Sequence, residues 1–232
     1  LGKSGFGNFT TMTIIPRVSS PADLPPGWTD PPWRNAPVLP IAQFRPESSD
    51  HRPQTEVKLL HDQERIYLFY RVEDRFVKAT RTAFQSSVCK DSCVEFFVRP
   101  RPDQGYFNFE VNAIGTLLTS YIKDWTRVGD SFAQREMLDA ETAHNVSIRS
   151  SFSEPMVREM EEPLTWTLQL TIECALFESF LGPLGDLRNQ EWTANFFKCG
   201  DETSHPHWAS WQPVGGKLNF HQPEYFGTVR FE

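Results

Sequence analysis

Apolar side chains return at every second position in one short segment after another of this sequence. In ERIYLFYRVED (64–74), Ile66, Leu68 and Tyr70 fall on one face and Tyr67, Phe69 and Arg71 on the other. Successive residues of an extended strand point to opposite sides, so a period of two in β-branched and aromatic residues predicts strands. The same alternation runs through TEVKLLH (55–61), SCVEFFVRP (92–100), NVSIRSSFS (145–153), LTWTLQLTIEC (164–174), EWTANFFKCG (191–200) and GTVRFE (227–232). YFNFEVNAIGTLLTSYI (106–122) reads as two strands about a turn at 113–115, and Asp62-Gln63 turns the chain between two others. Nineteen Phe and seven Trp supply the bulky side chains that pleated, half-buried surfaces favour.

Two segments carry helical spacing: ALFESFLG (175–182), stopped at Gly182-Pro183, and SFAQREMLDAE (131–141). Neither is long enough for a parallel crossover. MVREMEE (156–162) is expected to be a charged hairpin tip. Short strands joined by turns predict an all-β, antiparallel β-sandwich of jelly-roll type, with immunoglobulin-like packing and one or two short helices. Residues 1–55 are rich in Pro, Ser and Asp, and proline removes ladder donors. Residues 1–29 are therefore expected to form an irregular N-terminal wrap and 30–232 a single sandwich domain. Trp28, Trp33 and Phe44 would anchor the Pro-rich run.

The formal net charge is −7 and no Lys/Arg cluster overrides it, so no nucleic-acid partner is expected. No run of about 18 apolar residues occurs, so no membrane insertion is expected. The opening LGKSGFGNFTTM lacks the charged-then-apolar layout of a signal peptide. Cys89, Cys93, Cys174 and Cys199 form no CxxC pair and no His pair has zinc spacing, so no structural zinc site is expected. Pairing of Cys174 with Cys199 and free buried thiols both stay open.

Catalytic signatures are missing: no GxSxG elbow, phosphate loop, GxGxxG or HExxH occurs. His205-Pro206-His207 is expected to be a solvated turn rather than a metal site. Strand carboxylates occur at Glu95, Glu110 and Glu173. A pair such as Glu95 and Glu110 has the makings of a glycosidase acid and base, or of a hydrogen-bonded structural pair.

The candidate site follows from alternation. In 93–98, Val94, Phe96 and Val98 form the core row, which leaves Glu95 on the opposite face. In 106–112, Phe107, Phe109 and Val111 point inward and Asn108, Glu110 and Asn112 outward, polar groups at steps of about 6.5–7 Å that suit a hydroxyl array. Asn195 centres a later strand, and Trp208, Phe220 and His221 lie among polar loop residues. Rings beside polar groups suit a sugar, whose apolar face stacks while its hydroxyls are bonded. Trp211 and Phe226 are read as core plugs.

The order Asp91, Ser92, Val94, Glu95, then Asn108, Phe109, Glu110, Asn112, Gly115, then Ser210, Trp211, Pro213, then Phe220, His221, Pro223, Phe226, Gly227 resembles the family 9 carbohydrate-binding modules of the DOMON-like sandwich group. Trp33-x-x-Ala36 matches the N-terminal motif of that family. The resemblance implies non-catalytic binding of a plant or microbial polysaccharide or its oligosaccharides in a slot between aromatic rings. Glu95 matches the slot carboxylate, Asn108 and Glu110 match polar ligand positions, and Phe220 falls at one expected slot Trp. Cys89 stands where the other Trp is expected, so the chain is closer to a less characterised branch. The resemblance also implies an extracytoplasmic setting, a glycan-degrading enzyme as a partner, and structural calcium in some members, for which Asp91, Asp124 and Asp130 are the available acidic residues. Two other readings stay open. One is a glycan-active enzyme using Glu95 and Glu110. The other is a haem b electron-transfer domain of the same fold group, with Met137, Met156, Met160 and His144 as candidate axial ligands.

Overall fold

The computed structural model describes residues 12–19, 24–216 and 218–232. In chain order the strands are β1 (Thr13–Ile15), β2 (Leu39–Pro40), β3 (Gln43–Phe44), β4 (Gln54–His61), β5 (Arg65–Asp74), β6 (Val77–Ala79), β7 (Cys93–Arg99), β8 (Tyr106–Asn112), β9 (Leu117–Val128), β10 (Ser131–Met137), β11 (Val146–Ser150), β12 (Met156–Met160), β13 (Leu164–Glu173), β14 (Glu191–Cys199), β15 (Trp208–Ser210) and β16 (Gly227–Phe231). Helix α1 is Ala140–Ala143 and α2 is Cys174–Leu181.

The strands form a β-sandwich. The larger sheet runs β1-β16-β14-β7-β8-β9-β10, with β15 and β3 attached through β14. The smaller runs β11-β13-β5-β4-β2, and β12 and β6 form a separate ribbon. Among the described strands the pairings are antiparallel except β1 with β16, and just beyond β1 a parallel bridge joins Arg17 to His61. The outer edge of β14 is shared: β16 pairs with Glu191–Ala194 and β15 with Phe197–Cys199. Between the sheets, Ile66, Leu68, Tyr70 and Val72 of β5 meet Val94, Phe96 and Val98 of β7 and Phe107 and Phe109 of β8 in one apolar core. Burial of such rows is the main favourable contribution to folding. The Tyr70 hydroxyl ties the layers by donating to the Glu95 carbonyl at 2.9 Å.

The outer face of the smaller sheet is also covered. Tyr67 and Phe69 bury against Leu24, Trp33 and Ala36, and the rings of Trp28 and Trp33 each meet Phe69 edge-on at 5.2 Å. Lys58 fastens this layer by donating to the carbonyls of Trp28 and Trp33. Phe44 instead pairs in β3 and packs on the central core. The segment expected to be an irregular wrap contains an edge strand, because Thr13–Ile15 lie in register with 229–231 of β16. Residues 1–11 and 20–23 of that expectation lie outside the described residues.

Two local expectations need correction. Residues 131–137, read as helical, form β10 against β9, with register shifts between Phe132 and Arg135 that blur the alternation. Residues 156–160, read as a hairpin tip, form β12 against β6. The helix at 175–182 is present as α2, ending at Gly182 with φ +73°.

Candidate functional site

Register across β14, β7 and β8 builds the site. Phe197 lies opposite Glu95, and Glu95 opposite Glu110. One step along, Cys199 faces Cys93 and Cys93 faces Asn112; on the other side Asn195 faces Phe97 and Phe97 faces Asn108. This row points away from the central core, as expected, yet it is not a solvated face. Residues 200–226 fold back over it, and Phe97, Tyr106, Phe197, Phe220 and Phe226 close into a second apolar cluster. Phe220 stacks on Phe197 with ring centroids 4.2 Å apart. Glu95 is 3% exposed and Glu110 6%.

A cleft of about 310 Å³ survives above the two carboxyls. Glu95, Glu110 and Cys199 form its floor, and Trp208, Phe220 and His221 line it with Cys89 and Asp201. Arg127 and Asn219 stand at its mouth, bonded to each other at 2.9 Å. Larger grooves of about 610 Å³ beside Tyr121 and Phe180 and about 580 Å³ beside Ile114 and Ile148 contain no buried carboxyl or basic side chain among their lining residues.

The floor is electrostatically unusual. Burial and the adjacent Glu110 push the Glu95 carboxyl well above the usual carboxylate range, against a hydrogen bond from Cys199 Sγ at 3.1 Å. Burial raises Glu110 to about 7, against the pull of the Asn108 amide, which donates to it at 2.8 Å, and of Arg135. Burial also raises Asp201, which accepts from Trp208 Nε1 at 2.7 Å and so fixes that ring. His221 is held down to about 3 by burial and by Arg127 and Arg135, so its ring is neutral at pH 7. Its Nδ1 lies 2.8 Å from the Tyr106 hydroxyl.

Glu95, Glu110, Trp208, Phe220 and His221 thus come together at one cleft. Asn108, Asn112 and Asn195 do not line it. Asn108 acts one step behind, donating to Glu110 and accepting from Ser120. Asn112 donates to Asp91 and to the Arg81 carbonyl, and Asn195 pins the backbone of Gln212. Sequence reasoning missed Arg127, Cys199 and Asp201 as lining residues. Cys199 had a legible signal, since it shares the outward row with Phe197.

The acidic metal candidates do not converge. Asp91 is buried and occupied by Arg81, Thr80 and Asn112. Asp124 caps the Thr126 amide and Asp130 is exposed. Neither they nor Asp91 enter the cluster of potential ligands found among the described residues, Cys93, Glu95 and Cys199. The haem candidates find no shared dry pocket: Met137 and Met160 are about two-fifths exposed and His144 is exposed. His207, expected to be solvated, is buried at 1% exposure because Lys198 reaches it from β14 at 2.7 Å. All four cysteines are free, Cys174 and Cys199 included. Phe226 is a core plug as expected, and Trp211 packs against the central core.

A sandwich with a small cleft, aromatic on its sides and acidic at its floor, is built as a small-ligand binding domain. The chain belongs to the carbohydrate-binding modules of carbohydrate-binding family 9, whose family model matches residues 33–231. A solved structure from Bacteroides uniformis ATCC 8492, described as a candidate carbohydrate-binding protein, is similar at 28% identity and a TM-score of 0.83, covering 95% of this chain and 99% of that one. Two structures of a family 9 module from Caldicellulosiruptor kristjanssonii share the fold at 13% identity. The glucose complex has a TM-score of 0.60 with 95% and 96% of the two chains covered. The cellotriose complex has a TM-score of 0.61 with 95% and 93% covered. No curated protein matches the chain.

Proposed function

We propose that this cleft binds a neutral sugar, as a monosaccharide or the end of an oligosaccharide, and catalyses nothing. The observation that carries the reading is the convergence of Glu95 and Glu110 with the rings of Trp208 and Phe220 on one cleft. Rings take the C–H face of a pyranose and buried polar groups take its hydroxyls. At about 310 Å³ the cleft lies at the small end of ligand sites, which run from about 300 to 1,000 Å³. The same burial that disfavours ionised carboxyls at the floor disfavours an anionic sugar there. The family match, to a binding module, favours binding over hydrolysis. Glucose and cellotriose, the ligands of the C. kristjanssonii modules, make glucans the first class to test. An extracytoplasmic setting and association with a glycan-degrading enzyme accompany the reading, supported by the ligand class of the family alone.

The test is calorimetric titration of the full chain with glucose, cellotriose and xylan oligosaccharides. Saturable binding that weakens by about tenfold in Phe220→Ala is expected, the size of one lost ring contact. Absence of heat with every sugar, or full affinity in Phe220→Ala, contradicts the assignment.

A further inference from the structure

One cluster at the cleft floor is not explained by sugar binding. Cys93 and Cys199 face each other across β7 and β14, and Glu95 follows Cys93 on the same face. The two sulfurs and a Glu95 oxygen all lie within 4.8 Å of one another, and all three residues are buried. Their partners are mostly one another: the Cys93 thiol meets Cys199 and the Val94 carbonyl at 3.6 Å, and the Cys199 thiol is shared among Cys93, Glu95 and the Cys89 carbonyl.

We propose that Cys93, Cys199 and Glu95 form a site for a thiophilic divalent cation such as Zn²⁺, reached through the cleft. Tetrahedral zinc with sulfurs at about 2.3 Å places them about 3.8 Å apart, so a contraction of about 1 Å from the outer limit of this cluster suffices. Two thiolates and one carboxylate are a donor set that selects zinc or cadmium over calcium or magnesium. Cys199 and Glu95 line the cleft, so access exists and the fourth coordination position opens towards it, beside Cys89. Binding exchanges protons for metal: each thiol and the Glu95 carboxyl lose one proton to solvent as their lone pairs take the cation, with no redox change. Burial raises the Cys93 thiol to about 12, and contact with Cys93 together with burial holds Cys199 well above its usual value. Because protons leave as the metal binds, uptake rises with pH. In the sequence this set is hidden because its members come from two strands far apart in the chain. The proposal does not depend on the sugar reading.

The test is anaerobic titration of the reduced full chain with Co²⁺, followed by displacement with Zn²⁺. One equivalent is expected to give tetrahedral d–d bands and a sulfur-to-cobalt charge-transfer band of two-thiolate intensity. Cys93→Ser and Cys199→Ser are each expected to lose about half of that band and at least about tenfold in affinity, whereas Cys174→Ser changes neither. No thiolate band in the unaltered chain, an undiminished band in Cys199→Ser, or a Cys93–Cys199 disulfide in the isolated protein would overturn it. The band intensity of the unaltered chain counts thiolates by itself, so a variant that fails to fold leaves the test standing.

Discussion

Lys198 and Cys199 are neighbours on β14, yet they enter two buried polar clusters on opposite faces of the sheet, and those clusters are built on opposite rules. On the inner side, Asp74 meets Lys198 at 3.5 Å, His51 at 2.8 Å and Trp166 Nε1 at 3.1 Å, while Lys198 also donates to His207. Burial pushes Asp74 up, but Lys198 with His51, His207 and Trp166 outweighs it and holds the carboxyl well below its usual range. On the outer side, Glu95 and Glu110 share a floor with thiols and an amide, and both are raised. The first cluster has its charges matched and opens on no cleft described above. The second concentrates acidic groups under one. A closed, matched cluster serves the fold; an unmatched acidic floor is free to accept hydroxyl donors or a cation.

The strongest way to break this contrast is to unmatch the inner cluster. Lys198→Met leaves Asp74 buried without its ammonium and is expected to cost about 3–5 kcal/mol in urea denaturation. A loss under about 1 kcal/mol would show that the pair is not what holds this end of the sandwich.

The pH response should run in opposite directions for the two clusters. Glu110 is raised in the folded chain, so its favourable contribution is present below about 4.5 and is lost as pH rises through about 7. His207 is depressed to about 3 by burial and Lys198, so its contribution is present above about 6.5 and is lost as pH falls towards 3. In metal-free buffer, the stability that Glu95→Gln/Glu110→Gln gains over the unaltered chain should be larger at pH 8 than at pH 5, by about 2.5 kcal/mol from Glu110 alone. The loss on the acid side should persist in that variant. An equal gain at both pH values would mean that the carboxyls titrate normally.

The smallest expected effect sharpens the picture of the wall. Trp208→Phe keeps a ring but removes the donor to Asp201, and should cost about 1 kcal/mol in stability, read from the urea midpoint. A negligible cost would detach the Trp208 indole from the acidic floor.

Most of the sandwich was legible from period-two alternation, because a face buried on the core fixes strand direction and register. β10 and β12 were not, since β10 gives no residue to the central core and β12 gives Met156, and both owe their strand state to their partners. Within the site, alternation correctly separated Glu95 and Glu110 from the core row. It does not reveal what lies above that row, because the cover comes from residues 200–226, far away in sequence. For that reason Asn108, Asn112 and Asn195 looked like ligand contacts and turned out to be internal braces. Arg127 and Asp201 were invisible for the same reason, and His207 passed for a solvated loop residue until Lys198 was seen to reach it.

The central claim, that the paired carboxyls receive the sugar, is tested most directly by a crystal structure of the protein with cellotriose. The account predicts sugar hydroxyls within hydrogen-bonding distance of both Glu95 and Glu110, with one ring against Trp208 or Phe220. A sugar seated instead in the groove beside Tyr121 and Phe180, with the carboxyl cleft untouched, would contradict it.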